Sequence, residues 1–175
     1  DLRNATVGGV VEGGTYDGVI ATVPFQHLTG YYFMSSAMGQ TNPFAGGSNT
    51  IGVTLYPSFN LTVGSQVTIL GLTGTQSASG VVGIVSSGPG AGGVFESTGV
   101  WNQTAGSATL TVVSPVWVGT EVVVRFGAVN GAEAQAAPVV IVRASVVGQD
   151  GSVVAVEGGV VGGPTEPDAG GIQGG

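Results

Sequence analysis

The feature that most constrains this chain is an alternation of apolar residues with polar or small ones, which recurs along most of its length. Between Asn49 and Gly74 two alternating segments follow one another, separated by Pro57 and Ser58. Their apolar residues are Ile51, Val53 and Leu55 in the first segment and Val67 and Ile69 in the second. A period of two directs successive side chains to opposite faces of a strand, so each segment predicts a half-buried β-strand. We expect these two strands to form a central hairpin.

Further strands are predicted along the rest of the chain. The segments are 19–23, 31–38, 81–85, 94–96, 108–113, 121–126, 138–147 and 153–156. Glycine, proline and asparagine punctuate them about every ten residues, a spacing typical of sandwiches. The only stretch that favours helix, 132–137, is short and stops before Pro138. The sequence therefore predicts an all-β fold, an antiparallel immunoglobulin-like β-sandwich with extended N- and C-terminal strand arms.

The predicted organisation has one core and two arms. A domain of this size buries about 70% of its unfolded surface, which is enough for one core without disulfides. We expect an N-terminal strand arm over 1–28, the sandwich over 29–147, and a C-terminal strand and Gly-rich arm over 148–175. Asp150 and Gly151 predict a hairpin turn between the last sandwich strand and 153–156.

The composition predicts a surface with unusually few charged side chains. Charged residues are 7% of the chain, there is no lysine or cysteine, and the mean hydropathy is +0.43. A lone monomer with so little charge should be poorly soluble, so glycans or other subunits are expected to cover it. The net charge is -7, with Arg3, Arg125 and Arg143 as the only permanent cations. This argues against binding to nucleic acid or to an anionic membrane surface.

The compartment is predicted from glycosylation sequons. Asn4, Asn60 and Asn102 each stand two residues before a threonine, which is the sequon for N-glycosylation. The alternative interpretation is that these matches arise by chance, because threonine is abundant in this chain. N-linked glycans would place the protein outside the cell or on its surface. A glycan at Asn60, in the predicted turn between the two central strands, would make that end of the sandwich unavailable for subunit contacts.

The chain begins at Asp1 without an initiator methionine and carries no signal-peptide pattern. We therefore interpret it as a mature form or an excised fragment. No apolar run reaches the length of a membrane span, so no membrane span is predicted.

No motif points to catalysis, a cofactor or a metal. Residues 88–93 match a dinucleotide fingerprint, but a strand-like segment follows where a helix would have to hold the phosphates. His27 is the only histidine and is expected to be structural, since no serine stands in a nucleophile-elbow context. With one histidine and no cysteine, we predict no catalytic, cofactor-binding or metal-binding residues and no enzymatic activity.

The aromatic residues allow an alternative function. Trp101, Trp117, Tyr31 and Tyr32 could form a platform on which sugar rings stack. Large rings more often pack in a core or between subunits, because they supply much of the buried area of a small sandwich. A carbohydrate-binding or adhesive module is therefore the alternative hypothesis.

Four groups of residues resemble a known module. They are Asn42-Pro43-Phe44, the strand Asn49 to Leu55, the turn Gly71 to Gln76, and Arg125 to Asn130 followed by Ala137 to Ile141. Over about 29–146 the chain resembles the immunoglobulin-like repeats of very long secreted and cell-surface proteins of algae and other protists. The resemblance implies a sandwich that acts as a repeated structural module. Gly131 stands where the family pattern has proline.

Together these observations predict a structural subunit of an extracellular glycoprotein filament or surface appendage. Valine-rich arms would add backbone hydrogen bonds to the sheet edge of a neighbouring copy and bury apolar area there. The expected partners are copies of the chain in a filament or array, together with N-linked glycans. The predicted assembly residues are Val7, Val10, Val11, Val153, Val154, Val156, Val160 and Val161.

Overall fold

The chain divides into two compact units, Asp1–Tyr31 and Tyr32–Gly175. The computed structural model describes residues 31–89, 92–136, 138–148 and 150–156, together with the backbone of 160–161. All the described strands belong to the second unit. The predicted N-terminal arm over 1–28, its strand at 19–23 and His27 lie outside the described residues.

The described residues form ten strands and no helix. The strands are β1 (Phe33–Gln40), β2 (Ser48–Pro57), β3 (Gln66–Leu70), β4 (Gly80–Ser87), β5 (Thr98–Asn102), β6 (Ser107–Thr111), β7 (Val122–Val129), β8 (Val140–Val147), β9 (Val153–Val156) and β10 (Val160–Val161). In this part of the chain, no helix could therefore cross a membrane.

The strands form a curled antiparallel sheet that folds over itself at β4. The order is β1-β2-β7-β4-β5-β6-β3-β8, with β9 and β10 both paired to β8. The second half of β4 pairs with β7 and its first half pairs with β5, so this strand passes from one layer of the sandwich to the other. In the second layer the consecutive strands β4, β5 and β6 lie side by side, and β3, which precedes them in the chain, pairs with β6. This order is a Greek key. The predicted all-β, antiparallel immunoglobulin-like sandwich is confirmed.

The expected central hairpin is wrong. β2 pairs with β1 and β7, whereas β3 pairs with β6 and β8. The two strands therefore lie in opposite layers, and 58–65 connects them. An alternating pattern identifies which side of each strand is buried, but it does not identify the partner of that strand.

The alternating residues build the core between the layers. Val53 and Leu55 of β2 and Val67 and Ile69 of β3 have no exposed surface. On β7 the alternating residues Val122, Val124 and Phe126, which share one face of the strand, are also buried. Each such side chain contributes about 1.5–3 kcal/mol relative to an exposed position. Phe33 and Phe59 close one side of this core with an edge-to-face contact whose ring centroids are 5.4 Å apart.

One strand differs from the prediction. The segment 94–96 contributes only an isolated bridge between Phe95 and Val112, while the neighbouring strand is β5. The inward residues of β5 are Gly99 and Trp101, and glycine conceals the apolar alternation in the sequence. A Cβ at Gly99 would lie 2.9 Å from the carbonyl oxygen of Thr109, so the close approach of β6 excludes a larger residue.

The C-terminal strands pair with their own chain. The hairpin predicted at Asp150 and Gly151 is confirmed: β9 runs antiparallel to the end of β8, and β10 continues along the beginning of β8. The Ser152 amide donates to Asp150 Oδ1 at 2.9 Å, and Gly151 has a φ of 79°. The side of β9 that faces β8 is therefore not available to a neighbouring copy.

Candidate functional site

The most polar buried feature of the sandwich is centred on Asn49, at the start of β2. Asn49 is 5% exposed. Its Oδ1 accepts hydrogen bonds from the backbone amides of Thr41 and Asn42, both at 3.0 Å. Its Nδ2 donates to Gln40 Oε1 and to Asn130 Oδ1, both at 2.8 Å. Both polar atoms of this side chain are thus used inside the protein.

Asn130, which follows β7, extends the network to the loop 41–47. Its Nδ2 donates to the carbonyl oxygens of Asn42 at 2.7 Å and Phe44 at 2.8 Å. Its backbone amide donates to the Gly47 carbonyl at 3.0 Å. Because loops lack the regular hydrogen bonds of a sheet, these contacts supply partners for backbone groups that would otherwise depend on water. We call this part of the molecule, comprising 40–49, 71–76 and 130–136, the asparagine end.

The turn at 71–76 packs directly against neighbouring backbone. A Cβ on Gly71 would lie 2.1 Å from the Val139 carbonyl oxygen, and one on Gly131 would lie 2.6 Å from the Gly74 carbonyl oxygen. Both positions therefore require glycine, because a larger residue would clash with these carbonyl oxygens.

A cavity of about 790 Å³ opens at the asparagine end. Its apolar lining comes from Met38, Ile51, Leu72, Trp101 and Ala128, and its polar lining includes Gln40, Thr75, Asn130, Glu133 and Gln135. Glu133 is the only charged residue among the described residues that line it. Across the described part of the chain, no three histidine, cysteine, aspartate or glutamate side chains are close enough to hold a metal ion. The cavity offers a mixed, nearly neutral surface without a pair of acidic groups for proton transfer.

Trp101 does not provide a sugar-stacking face. It is 4% exposed and forms part of the core, and its Nε1 donates to the Ser77 carbonyl at 2.9 Å. Its position on β5, two residues after the inward-facing Gly99, directs the ring into the sandwich. The sequence-based assignment of Trp101 to an exposed platform is corrected by this burial.

The opposite end of the sandwich exposes apolar side chains. Trp117 is 63% exposed, Val118 57%, Met34 48% and Tyr32 36%. A turn holds Trp117 and Val118 in place, since the Thr120 amide donates to the Trp117 carbonyl at 3.1 Å. We call the surface formed by Tyr32, Met34, 57–61 and 117–120 the aromatic end. Tyr31, the last residue of the first unit, is 57% exposed.

The Asn60 sequon belongs to the aromatic end. Asn60 is exposed, and its Oδ1 accepts a hydrogen bond from the Val118 amide at 2.9 Å. Thr62, the third residue of the sequon, is partly buried and donates to the Val147 carbonyl. The threonine therefore also anchors the connection between the layers.

The other sequons differ in their surroundings. Asn102 is the last residue of β5, is exposed, and accepts a hydrogen bond from the Ala105 amide at 3.0 Å within the following turn. Its cross-strand partner is Ser107. Asn4 lies outside the described residues.

The predicted assembly residues have different environments. Val153 is 64% exposed and Val154 38%, but Val156 is 2% exposed and belongs to the core. Val160 and Val161 pair through their backbones with β8. Three of the predicted residues, Val7, Val10 and Val11, lie outside the described residues.

The structure adds exposed valines that the sequence reasoning did not select. Val81 and Val100 are directly opposite one another on β4 and β5, with 78% and 62% exposure, and Val85 on the other half of β4 is 68% exposed. The signal was present in the sequence, because these valines alternate with the inward residues of their strands. The fold is needed to show that the side of each strand that carries these valines faces solvent.

Two titratable groups, the half-buried Tyr56 and the exposed Asp150, have shifted pKa values. The Tyr56 hydroxyl donates to Glu121 Oε2, and this hydrogen bond, with smaller contributions from desolvation and the negative charge, raises the pKa of Tyr56. Hydrogen bonds from the Ser152 side chain and backbone lower the pKa of Asp150. Both shifts arise from local contacts, and neither group lies in the cavity.

The described strands define an immunoglobulin-like sandwich module. The chain is similar to an uncharacterized protein from Nocardia farcinica with an immunoglobulin-like fold, at 17% identity and a TM-score of 0.35, covering 71% of this chain and 82% of that one. It is also similar to BcpA, the major pilin subunit of Bacillus cereus, at 12% identity and a TM-score of 0.40, covering 75% of this chain.

A third similar structure is the second type II cohesin module of the cellulosomal adaptor ScaA scaffoldin of Acetivibrio cellulolyticus, at 17% identity and a TM-score of 0.34. This match covers 73% of our chain and 95% of the cohesin chain. The chain spans only 40% of the length of the pilin subunit. No protein-family model matches the sequence, and the comparison with curated proteins gives no match.

Proposed function

We propose that this chain is a structural subunit of an extracellular glycoprotein filament or surface appendage, and that it is not an enzyme. The observation that carries the proposal is the combination of exposed apolar side chains with very few charges. Among the described residues the charged side chains are Glu96, Glu121, Arg125, Glu133, Arg143 and Asp150. Burying an exposed apolar surface between copies gains about 25 cal/mol per Å².

Strand addition at β9 is the proposed mode of assembly. In the described part of the chain β9 pairs with β8 alone, so its outer side presents backbone groups to a neighbour. An unpaired strand edge is a ready template for another strand. The N-terminal β1 is a less accessible edge, because β10 approaches it. This refines the expected mechanism: the C-terminal strand completes its own sheet first and then offers its outer edge.

The proposed location is extracellular, with glycans on exposed sequons. Asn60 and Asn102 are both exposed. The motifs shared with the protist and algal repeats converge at the asparagine end, where they join a loop to the end of β7. This convergence supports a module that is repeated for its rigidity and not for a reaction, and we propose on that basis that the chain is related to those repeats.

Substitution at the β9 edge tests the proposed assembly. Val153→Lys puts a charge on the exposed edge strand without changing the core, whereas Val85→Lys makes the same chemical change at an exposed position on β4. Electron microscopy and sedimentation should show that the Val153 variant loses ordered assemblies while the Val85 variant keeps them. Wild-type assemblies from the Val153 variant would show that strand addition at β9 is not the mode of assembly.

A carbohydrate-binding or adhesive role is the second candidate, favoured by the exposure of Trp117 and Tyr32 at the aromatic end. Its test is tryptophan fluorescence of the monomer titrated with cello-oligosaccharides and chitin oligosaccharides. A saturable shift that Trp117→Ala abolishes would support this role. No shift with any of these sugars would count against it.

A further inference from the structure

We propose that the first sugar of an N-linked glycan on Asn60 packs against the indole ring of Trp117, so that the chain's own glycan covers the aromatic end. This inference rests on the proposed function in one respect, since it takes the protein to be a glycoprotein. It assigns a structural role to one particular sequon and to one exposed tryptophan.

Asn60 and Trp117 flank a bridge that joins their two segments. Leu61 and Val116 form an isolated antiparallel bridge and exchange two backbone hydrogen bonds, both of 2.9 Å. We infer that extending this antiparallel register by one residue places Asn60 opposite Trp117. The step leads from a hydrogen-bonded pair to a non-hydrogen-bonded pair, in which directly opposite side chains are closest, with Cβ atoms about 4.5–5.5 Å apart.

The two side chains also point to the same side. Leu61 and Val116 have no exposed surface, because both face the core. In an extended chain the next residue faces the opposite way, so Asn60 and Trp117 both face outward. Their exposure agrees with this: Asn60 is exposed and Trp117 is 63% exposed.

The carboxamide of Asn60 is oriented by the same turn that carries Trp117. Its Oδ1 accepts the Val118 amide hydrogen, and that amide nitrogen is bonded to the carbonyl carbon of Trp117. A glycan is attached through Nδ2, so the hydrogen bond to Oδ1 remains possible after glycosylation. The turn itself is fixed, since the Gly119 amide donates to the Pro57 carbonyl at 2.8 Å. The attachment atom and the backbone that carries the aromatic ring are thus both pre-positioned.

The chemistry of the two surfaces is complementary. A pyranose ring has a face of C–H groups that packs on an aromatic ring, and tryptophan offers the largest such ring. With Val118 57% and Met34 48% exposed beside it, Trp117 belongs to an apolar surface that is unfavourable in water. A sugar anchored one cross-strand step away covers this surface with little loss of freedom.

The surroundings of Asn102 lack this arrangement. Its cross-strand partner is Ser107, and the neighbouring Trp101 is buried on the opposite face of β5. A glycan on Asn102 therefore has no exposed aromatic partner among the described residues of its strand pair. Asn102 provides a matched control within the same protein.

The test uses the full chain secreted from a eukaryotic host, with glycan occupancy established by mass spectrometry. The chain has two tryptophans, and the buried Trp101 supplies a constant background, so acrylamide quenching reports on Trp117. An endoglycosidase that leaves a single N-acetylglucosamine should leave quenching low. Peptide N-glycosidase, which removes that last sugar, should increase quenching and shift the emission to longer wavelength. The Asn102→Gln variant should respond as the wild type does, whereas Asn60→Gln should show high quenching before any treatment.

Several results would overturn the inference. They are an unoccupied Asn60, equal quenching with and without the last sugar, or a response that depends on Asn102. Thermal unfolding gives a second readout: removing the last sugar should lower the Tm of the wild type but not that of Trp117→Ala. Filament formation is scored separately by electron microscopy. Wild-type filaments without this effect would refute the inference alone, and the effect in a protein that never assembles would refute only the filament proposal.

Discussion

Asn49 Nδ2 donates a 2.8 Å hydrogen bond to Asn130 Oδ1, joining two residues that are 81 positions apart in the chain. The bond links the start of β2 to the end of β7, and each asparagine also holds the loop 41–47. Both residues belong to sequence motifs, Asn49 to Leu55 and Arg125 to Asn130. These motif residues therefore form a structural network at the asparagine end.

Removing the Asn130 side chain should destabilise the sandwich. Asn130→Ala removes one of the two acceptors of Asn49 Nδ2 and the side-chain donor to the carbonyls of Asn42 and Phe44. One N–H of the buried Asn49 is then unsatisfied, which costs about 1–3 kcal/mol. Urea unfolding should show a lower free energy of unfolding by roughly that amount. Asn102→Ala, which removes one exposed hydrogen bond, should cost clearly less. If the two variants lose the same free energy of unfolding, the Asn49–Asn130 network contributes no more stability than one exposed hydrogen bond.

Gly131 should be intolerant of even one added carbon. Gly131→Ala would place Cβ 2.6 Å from the Gly74 carbonyl oxygen, so the turn at 71–76 has to move. The matched control is Gly127→Ala on β7, where a Cβ would meet nothing within 4 Å. We expect thermal unfolding to show a lower Tm for the Gly131 variant and an unchanged or slightly higher Tm for the Gly127 variant. The reverse order would contradict the close packing of this turn.

The C-terminal strand should contribute to the stability of its own domain. Val156→Ala removes two buried methyl groups and should cost roughly 2 kcal/mol. Val154→Ala changes a partly exposed position and should have an effect of about 0.5 kcal/mol or less. Chemical denaturation of the monomer distinguishes them. If Val156→Ala is as harmless as Val154→Ala, β9 does not dock on the core.

The β8–β9 turn should loosen in acid. The Ser152 hydrogen bonds lower the folded-state pKa of Asp150 below its ordinary value of 3.8. The stabilising effect is therefore fully present above that value and disappears as the pH falls through the folded pKa. Hydrogen exchange at the Ser152 amide should accelerate over this interval relative to exchange at a β7 amide, and Asp150→Asn should remove the local pH dependence. If the pH dependence of exchange at Ser152 persists in Asp150→Asn, a different titrating group causes it.

The inward faces of most strands could be read from the sequence, because alternation places Val53, Leu55, Val122 and Val124 on buried sides. The pairing of those strands could not, since β2 and β3 have similar patterns yet lie in opposite layers. β5 escaped prediction because Gly99 occupies an inward position where an apolar side chain was expected.

The candidate functional surfaces were harder to predict from the sequence than the strands were. Nothing in the composition separates Trp101 from Trp117. Trp101 faces inward on β5, whereas Trp117 lies outside the strands, directly before the turn at 118–119, and is exposed. The inferred placement of Asn60 opposite Trp117 depends on the bridge between Leu61 and Val116, which are distant in the sequence. Asn49 and Asn130 are recognisable as motif residues, but their mutual hydrogen bond requires the fold.

Whether the chain is a structural subunit is best decided by the size distribution of the purified, secreted protein over a wide concentration range. Sedimentation velocity gives this distribution, and electron microscopy shows the form of the heavy fractions. A structural subunit predicts growth from the 17.1 kDa protein mass plus its glycans into ordered, elongated assemblies as concentration rises. A monodisperse glycosylated monomer at every concentration would contradict the proposed role.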